Sequence, residues 1–301
     1  MNPNILIPIF TGLLHLFLGI YVFRLKPRQK TQSIFLVFNL LMFIWLFIQG
    51  FRILLPPEYR SYALNITFLP MAFSPFTLYV LCAKIGQPDK KIPAWAGILG
   101  ASGLLYFTYA CLFHKMAELK NPQYFVFEFN LNYHALVVFC SFWMLLAIYA
   151  VLRKMITYRG DFKVRLFLVL LGAILAMPIT MVFVYFLPML GVFKPYLSSV
   201  GLILASVLWA VAILHYDAFK IKAGVYAGVD VPYINRVASN GFLKLLEKLD
   251  PMRFVQRSSK EKTEITKQIL IQDYNLAMNT GELSVEERAK ILSKKFGKYF
   301  R

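Results

Sequence analysis

Seven long apolar runs, nearly free of charged side chains, lie between residues 5 and 216 of this sequence. Runs of about 18 or more apolar residues are long enough to cross a hydrocarbon layer about 30 Å thick. The runs are continuously apolar rather than alternating, so they favour helices over a β-barrel. The sequence therefore predicts an all-α polytopic membrane protein, a seven-transmembrane-helix bundle. We place its spans at 5–23, 34–54, 63–83, 93–113, 133–152, 166–187 and 196–216.

Basic residues predict the orientation of the bundle. They cluster in one set of alternate loops, within 24–30, 84–91 and 153–165. The opposite loops hold only Arg52, Arg60, Lys115, Lys120 and Lys194. The positive-inside rule then places the N-terminus outside and the C-terminus in the cytoplasm. The net charge of +18 is explained by this topology and by attraction to the lipid bilayer, so nucleic acid is not an expected partner.

The interior of the spans lacks the residues that most membrane enzymes and pumps require. No Asp or Glu lies deep in any span, and the last span has no lysine for a retinal Schiff base. A metal site needs several converging ligands, whereas His15 stands alone in its span. We expect no enzyme activity, no cofactor and no metal. The three cysteines are expected to be buried thiols, with a disulfide between Cys111 and Cys140 as the alternative.

Polar residues within or beside the spans are candidates for a ligand pocket. Trp45, Gln49 and Arg52 follow an i, i+4, i+7 spacing and therefore share one helical face, which should look into the bundle. This face predicts either ligand contact or hydrogen bonding between helices, with the arginine reaching the outer headgroups. The polar candidates are His15, Asn39, Trp45, Gln49, Arg52, Asn65, Thr67 and Ser141.

Three other features of the spans and loops predict local structure, and two of them allow two interpretations. Pro178 predicts a kink in the sixth span, either a signalling hinge or a tolerated membrane proline. The aromatic stretch 114–132 either caps the bundle or forms an interfacial belt. Small residues spaced four apart, Gly97 with Ala101 and Gly201 with Ala205, indicate close helix packing.

The tail, 222–301, differs in composition from the rest of the chain. Its apolar spacing predicts three short helices, the first ending near residues 250–251 and the second near 279–281. Ser284 and Glu287 have the spacing of a capping box at the start of the third. The tail contains no histidine.

The junction 212–221, with the sequence AILHYDAFKI, is the most diagnostic stretch of the chain. It resembles the exit of the last helix in the N-terminal seven-transmembrane region of bacterial sensor histidine kinases. His215 occupies the usual basic position of that pattern, and Tyr216, Phe219 and Ile221 match it. The resemblance extends over about residues 1–221, with weaker support from the basic first loop, Trp45, and the prolines of the third span.

The resemblance implies a seven-helix sensory domain, 1–221, followed by a cytoplasmic helical tail, 222–301. The tail departs from the kinase pattern, because it has no phosphoacceptor histidine after His215 and no ATP-binding motifs. We therefore expect a non-enzymatic sensor or regulatory protein in the bacterial cytoplasmic (inner) membrane. It would signal from Pro178 and the His215–Ile221 junction, through the tail, to a separate cytoplasmic protein. The alternatives are a small-molecule or lipid transporter, an accessory subunit of a membrane complex, or a receptor without an output. A homodimer remains open.

Overall fold

The computed structural model describes residues 3–24, 30–123, 125–213, 233–279 and 283–296, with only the backbone described at 233–240 and 279. Four residues of the predicted relay lie outside these ranges, namely His215, Tyr216, Phe219 and Ile221. Pro178 is therefore the one member of that set with a described position.

Seven helical segments in the described part of the chain are long and apolar enough to cross a membrane. Five are single helices: α1 (Pro3–Arg24), α2 (Lys30–Phe51), α3 (Pro57–Lys84), α4 (Ala94–Leu112) and α5 (Leu131–Thr157). The sixth segment, Asp161–Met189, contains α6 (Asp161–Met181), a π-helical turn (Val182–Phe186) and a last turn (Leu187–Met189). The seventh, Pro195–Ile213, contains a 3₁₀ turn (Pro195–Leu197) and α7 (Ser198–Ile213). The predicted seven-span, all-α class is confirmed, while the orientation across the membrane stays a prediction.

Glycines bring some of the helices into close contact. A Cβ atom on Gly201 would lie 2.8 Å from Ile179 of α6, so the predicted packing through Gly201 and Ala205 is present. The prediction for Gly97 is wrong, because a Cβ atom there would meet no atom within 4 Å. Gly100, one turn later on α4, takes that role instead, since its Cβ would lie 2.4 Å from the ring of Phe76. The small-residue face of α4 is therefore offset from the predicted one.

An antiparallel β-hairpin, β1 (Ala117–Asn121) and β2 (Val126–Phe129), connects α4 to α5. Phe125 and Phe127 of this hairpin are buried. Phe129 stacks on Tyr133 at the start of α5, with the ring centroids 4.2 Å apart. These aromatic side chains therefore pack into the bundle. This agrees with the prediction that the stretch caps the bundle and not with the alternative of an interfacial belt.

The apolar core between α3, α4, α5 and the hairpin contains Cys111 and Cys140. All three cysteines of the chain are buried free thiols. The alternative of a Cys111–Cys140 disulfide is therefore wrong, and both side chains act as small apolar groups in the core.

The chain divides into two compact units, and the second contains Tyr158–Val164, which includes the first turn of α6, together with the tail. Its described helices are α8 (Tyr233–Leu249), α9 (Pro251–Asn279) and α10 (Val285–Phe296). Within this unit the backbone N–H of Gly160 donates to the Asp250 carboxylate (2.9 Å), and Arg257 pairs with Asp161. The ends of α8 and α9 agree with the positions predicted from the sequence, but α9 has 29 residues and is therefore not a short helix.

The predicted capping box at the start of α10 is present. The backbone N–H of Ser284 donates to Glu287 Oε2 (2.9 Å), and the backbone N–H of Glu287 donates to Ser284 Oγ (3.3 Å). These bonds satisfy donors at the helix start that have no partner within the helix. They also lower the pKa of the Glu287 carboxyl, because both backbone and side-chain donors of Ser284 favour its charged form.

Candidate ligand-binding site

The face of α2 that carries Trp45, Gln49 and Arg52 is buried, as its spacing predicts. The three side chains are 3%, 4% and 5% exposed. They do not share one pocket, however. Trp45 lines a cavity within the bundle, whereas Gln49 and Arg52 line a second cavity at the end of the bundle where α1 begins and α2 ends.

The first cavity, here called the intramembrane cavity, has about 690 Å³ of empty space, including space open to the surroundings. Its walls come from α2, α3, α5, the sixth segment and α7, and Trp45, Ser141 and Trp209 are among them. Methionine side chains are flexible and polarisable, so they adapt to ligands of different shape. Five line this cavity: Met42, Met71, Met144, Met177 and Met181.

Few hydrogen-bonding groups face the intramembrane cavity. Ser141 Oγ lies 3.8 Å from the sulfur of Met181 and can make only a weak bond to it. Thr180 Oγ1 is buried and has no hydrogen-bond partner among the described residues. The cavity therefore suits an apolar ligand with at most one or two polar groups.

The sixth segment departs from α-helical geometry beside the intramembrane cavity. The α-helix continues past Pro178, and the π-helical turn begins four residues later, at Val182. The carbonyl of Val184 accepts a hydrogen bond from the hydroxyl of Tyr133 (2.8 Å). Val184 and Tyr185 of this turn both line the cavity. Single π-helical turns often occur at functional positions in helices, and here the turn contacts the space that a ligand would fill.

The second cavity, here called the end pocket, is lined by both polar and aromatic side chains. It encloses about 870 Å³ of empty space, including open solvent. Its lining residues come from α1, the end of α2, the hairpin and the segment before α7: Asn4, Gln49, Arg52, Ile53, Gln123, Phe125, Phe127, Phe193, Pro195 and Tyr196.

Two arginines contact the ring of Phe125, and their surroundings differ. Arg60 donates to three backbone carbonyls, those of Leu55, Pro122 and Ile53, at 2.7–3.0 Å. Arg52 lies with its guanidinium carbon 4.9 Å from the centre of the Phe125 ring. Its Nε is buried without a hydrogen-bond partner among the described residues, and so is Nε2 of Gln49.

The backbone at Phe125 is held in an unusual conformation. Its φ angle is +52°, in the left-handed region that bulky residues rarely adopt. Such strain persists only where the surroundings over-determine it, and it concentrates at binding sites. Here the buried ring of Phe125 forms part of the wall of the end pocket.

Asn65, another candidate from the sequence, lines neither cavity. Its Oδ1 accepts from the backbone N–H groups of Met116 (3.1 Å) and Ala117 (3.2 Å). Its Nδ2 donates to the carbonyls of Ala117 (3.1 Å) and Ser61 (3.0 Å). Asn65 therefore fixes the start of the hairpin to α3, and its hydrogen-bonding capacity is used there.

His15 also lies away from both cavities, fully buried between three helices. Its Nδ1 lies 3.0 Å from Asn39 Oδ1 on α2 and 3.0 Å from Ser206 Oγ on α7. Because the amide oxygen can only accept, Nδ1 must carry the proton in the bond to Asn39. In the part of the chain that the structure describes, no three residues of the His, Cys, Asp and Glu types lie close enough to hold a metal ion. The surroundings of His15 are those of a packing residue.

One buried side chain that holds two helices together was not among the candidates predicted from the sequence. Lys154 of α5 is only 8% exposed, and its Nζ donates to the carbonyls of Cys82 (2.9 Å), Ala83 (2.8 Å) and Ile85 (2.7 Å). It therefore satisfies the carbonyls at the end of α3, which have no partner within the helix. In the sequence it stands beside Arg153 as one more basic residue of a loop, and no local pattern distinguishes the two.

Two lysines near the ends of the bundle, Lys30 and Lys120, form ion pairs that shift pKa values. The hydrogen bond and positive charge of Lys30 lower the pKa of Asp89, in the loop before α4. On the hairpin, hydrogen bonds to Glu118 and Glu128 raise the pKa of Lys120. All three of these ion pairs are exposed, so they contribute little to stability.

Residues 7–222 of the chain match the family model described as the N-terminal 7TM region of histidine kinase. No curated protein and no solved structure matches the chain significantly. The match includes six of the membrane-spanning segments in full and the first from residue 7 onward, and it includes every lining residue of the two cavities except Asn4.

Proposed function

Because the chain belongs to the family of N-terminal seven-transmembrane regions of histidine kinases, we propose that it is a non-enzymatic sensor whose output is made by another protein. The seven-helix region is a sensor input module and is not itself catalytic. The proposal adds that the tail, 222–301, binds a separate cytoplasmic signalling protein. It also places the chain in the bacterial cytoplasmic membrane, with the N-terminus outside.

The intramembrane cavity beside the π-helical turn is the observation that carries this proposal. A ligand changes a conformational equilibrium only when it binds two arrangements with different affinity. A ligand in this cavity would contact Val184 in the π-helical turn and Trp209 in α7. Since the chain runs from α7 into the tail, a change in the packing of these two segments would reach the output end of the molecule.

Exposed apolar side chains on α9 support a protein partner for the tail. Leu270, Tyr274 and Met278 are 64%, 63% and 68% exposed. They follow an i, i+4, i+8 spacing, so they lie along one face of the helix. An exposed apolar face of this kind is typical of a surface that docks on another protein.

Filling the intramembrane cavity tests the sensing half of the proposal. Ala176 lines the cavity, so Ala176→Phe should occupy part of it and hold the sixth and seventh segments in one arrangement. Ile174 on the same helix is 48% exposed, and Ile174→Phe is the matched control. Proximity labelling in cells expressing the full chain should show that Ala176→Phe changes the set of labelled cytoplasmic proteins, whereas Ile174→Phe does not. If both variants label the same set as the wild type, the cavity has no part in signalling.

Changing the α9 face tests the output half. The double substitution Leu270→Asp and Tyr274→Asp should remove specific cytoplasmic proteins from the labelled set, because charge on this face prevents apolar docking. Lys262→Asp is the charge control, because Lys262 is exposed on the same helix, lies about 120° around the axis from the centre of this face, and its replacement changes the net charge by the same amount. An unchanged labelled set in the double variant, at normal expression, contradicts an effector partner on this face.

A further inference from the structure

We propose that the end pocket binds an organic carboxylate, with Arg52 and Gln49 contacting the carboxylate and aromatic side chains covering its apolar body. This site is separate from the intramembrane cavity, and its ligand can be measured without any assumption about signalling.

The charge of Arg52 is the first argument. The side chain is 5% exposed, and no described carboxylate lies within ion-pair distance of it. Removing a cation from water without an opposite charge is costly. The ring of Phe125 covers one face of the guanidinium, but a cation–π contact leaves the N–H groups in the guanidinium plane without acceptors. An anion that enters the end pocket would supply both the charge and the acceptors.

The neighbouring arginine shows that this arrangement is particular to Arg52. Arg60 contacts the same ring, with its guanidinium carbon 5.6 Å from the ring centre. Its Nε, Nη1 and Nη2 all donate to backbone carbonyls. Arg60 therefore holds the loop and the hairpin together, whereas Arg52 lines the empty space of the pocket.

Gln49 provides a second donor beside Arg52. The two residues are three apart along the end of α2, a spacing that places side chains next to each other on a helical face. Gln49 is 4% exposed, and its Nε2 is buried without a partner among the described residues. A guanidinium and an adjacent amide together can donate to both oxygens of one carboxylate.

The aromatic part of the pocket lining indicates the rest of the ligand. Phe127, Phe193, Pro195 and Tyr196 line the pocket together with Phe125. A wall of this kind would gain nothing from a small inorganic anion but would cover an aromatic ring or an alkyl chain. The pocket therefore fits a carboxylate that carries an apolar group, taken either from water or from the bilayer.

Calorimetric titration of the full chain in nanodiscs of a neutral lipid tests the proposal. Phenylacetate represents a carboxylate from water, and laurate represents one from the bilayer. Phenylacetamide has the same body as phenylacetate without the charge, and inorganic phosphate has the charge without the body. We expect at least one of the two carboxylates to bind. Phenylacetamide and inorganic phosphate should each bind at least about tenfold more weakly than that carboxylate.

Two variants identify the site. Arg52→Gln should weaken carboxylate binding by about tenfold or more, while the exposed Arg153→Gln should leave it unchanged. Gln49→Glu places a carboxylate beside Arg52 within the protein itself. It should abolish binding of the added carboxylate and raise the midpoint of thermal unfolding of the unliganded protein, so loss of binding in this variant cannot come from misfolding.

The proposal is overturned if neither carboxylate binds, if phenylacetamide binds as tightly as phenylacetate, or if phosphate alone binds. It is also overturned if carboxylate binding survives in Gln49→Glu, or if Gln49→Glu lowers the unfolding midpoint. Binding of phenylacetate or of laurate that depends on Arg52 supports it, and the preferred one of the two identifies water or the bilayer as the source.

Discussion

Replacing Lys154 by methionine should destabilise the bundle more than any other single loss of a basic side chain among the described residues of α5. The ammonium group donates to three carbonyls at the end of α3, with distances of 2.7–2.9 Å. Methionine has a similar length and shape but donates no hydrogen bond. In Lys154→Met these carbonyls lose their partner in a site where the side chain is only 8% exposed.

The magnitude follows from the cost of buried groups without partners. Each such group costs about 1–3 kcal/mol, so three carbonyls set an upper range near 3–9 kcal/mol. Part of this is recovered, because the buried ammonium no longer has to be removed from water. Water at the end of the helix can reach some of the carbonyls as well. We expect a net loss of about 2–3 kcal/mol in the free energy of unfolding.

The assay is reversible unfolding of the full chain in mixed micelles with increasing sodium dodecyl sulfate, followed by tryptophan fluorescence. Arg153→Met is the control, because Arg153 precedes Lys154 in the chain and is exposed. Lys154→Arg should fall between the two, since a planar guanidinium cannot converge on three carbonyls as an ammonium does. The prediction is wrong if Lys154→Met and Arg153→Met lower the free energy of unfolding by amounts within about 0.5 kcal/mol of each other.

Three further predictions concern packing, buried polar contacts and pH. Gly100→Ala should destabilise by about 1–3 kcal/mol because its methyl group overlaps an aromatic ring, whereas Gly97→Ala, with open space around it, should be neutral or slightly stabilising in the same unfolding assay. His15→Leu should lower the free energy of unfolding by about 1 kcal/mol. A variant as stable as the wild type would show that the hydrogen bonds of His15 do not stabilise the packing of the three helices. Capping by Glu287 should be fully present above the ordinary carboxyl pKa of 4.5 and should be lost as the pH falls through its lowered pKa in the folded protein. A drop in the protection factors of the amides at the start of α10 in acid, corrected for the intrinsic exchange rate at each pH and absent from Glu287→Gln, would show this.

The seven spans could be predicted from the sequence because the bilayer imposes a simple local rule. A run of apolar residues must satisfy its own backbone in lipid, so length and hydropathy nearly determine the helix. The capping box of Ser284 and Glu287 was equally predictable, since both partners lie within one turn. The burial of the face with Trp45, Gln49 and Arg52 followed from helical periodicity alone.

Features that depend on which helix lies opposite could not be predicted. Gly97 and Gly100 are both small residues on α4, and only the position of Phe76 on α3 decides which of them is in contact. Asn65 and His15 belonged to the same set of polar candidates as Gln49. The structure distinguishes them, because the hairpin provides hydrogen-bond partners for Asn65 and α7 provides one for His15. Nε2 of Gln49 has no partner among the described residues.

The composition of the aromatic stretch 114–132 does not predict the hairpin, but its spacing does. Phe125, Phe127 and Phe129 alternate along the chain, and this two-residue period is the signal of a strand with one buried face. Most of the remaining chain follows the helical period, so a short strand stands out only when the spacing itself is counted.

The π-helical turn at Val182–Phe186 also affects how the length of this protein can change. Hydrogen bonds in such a turn connect residues five apart, so it holds one residue more than the α-helical turn that it replaces. Loss of one residue inside it would restore regular α-helical bonding. Loss of one residue elsewhere in the sixth segment would rotate every later side chain by about 100° around the helix axis and would turn lipid-facing groups inward. The turn is therefore a place where a one-residue deletion or insertion can be accommodated within a membrane span.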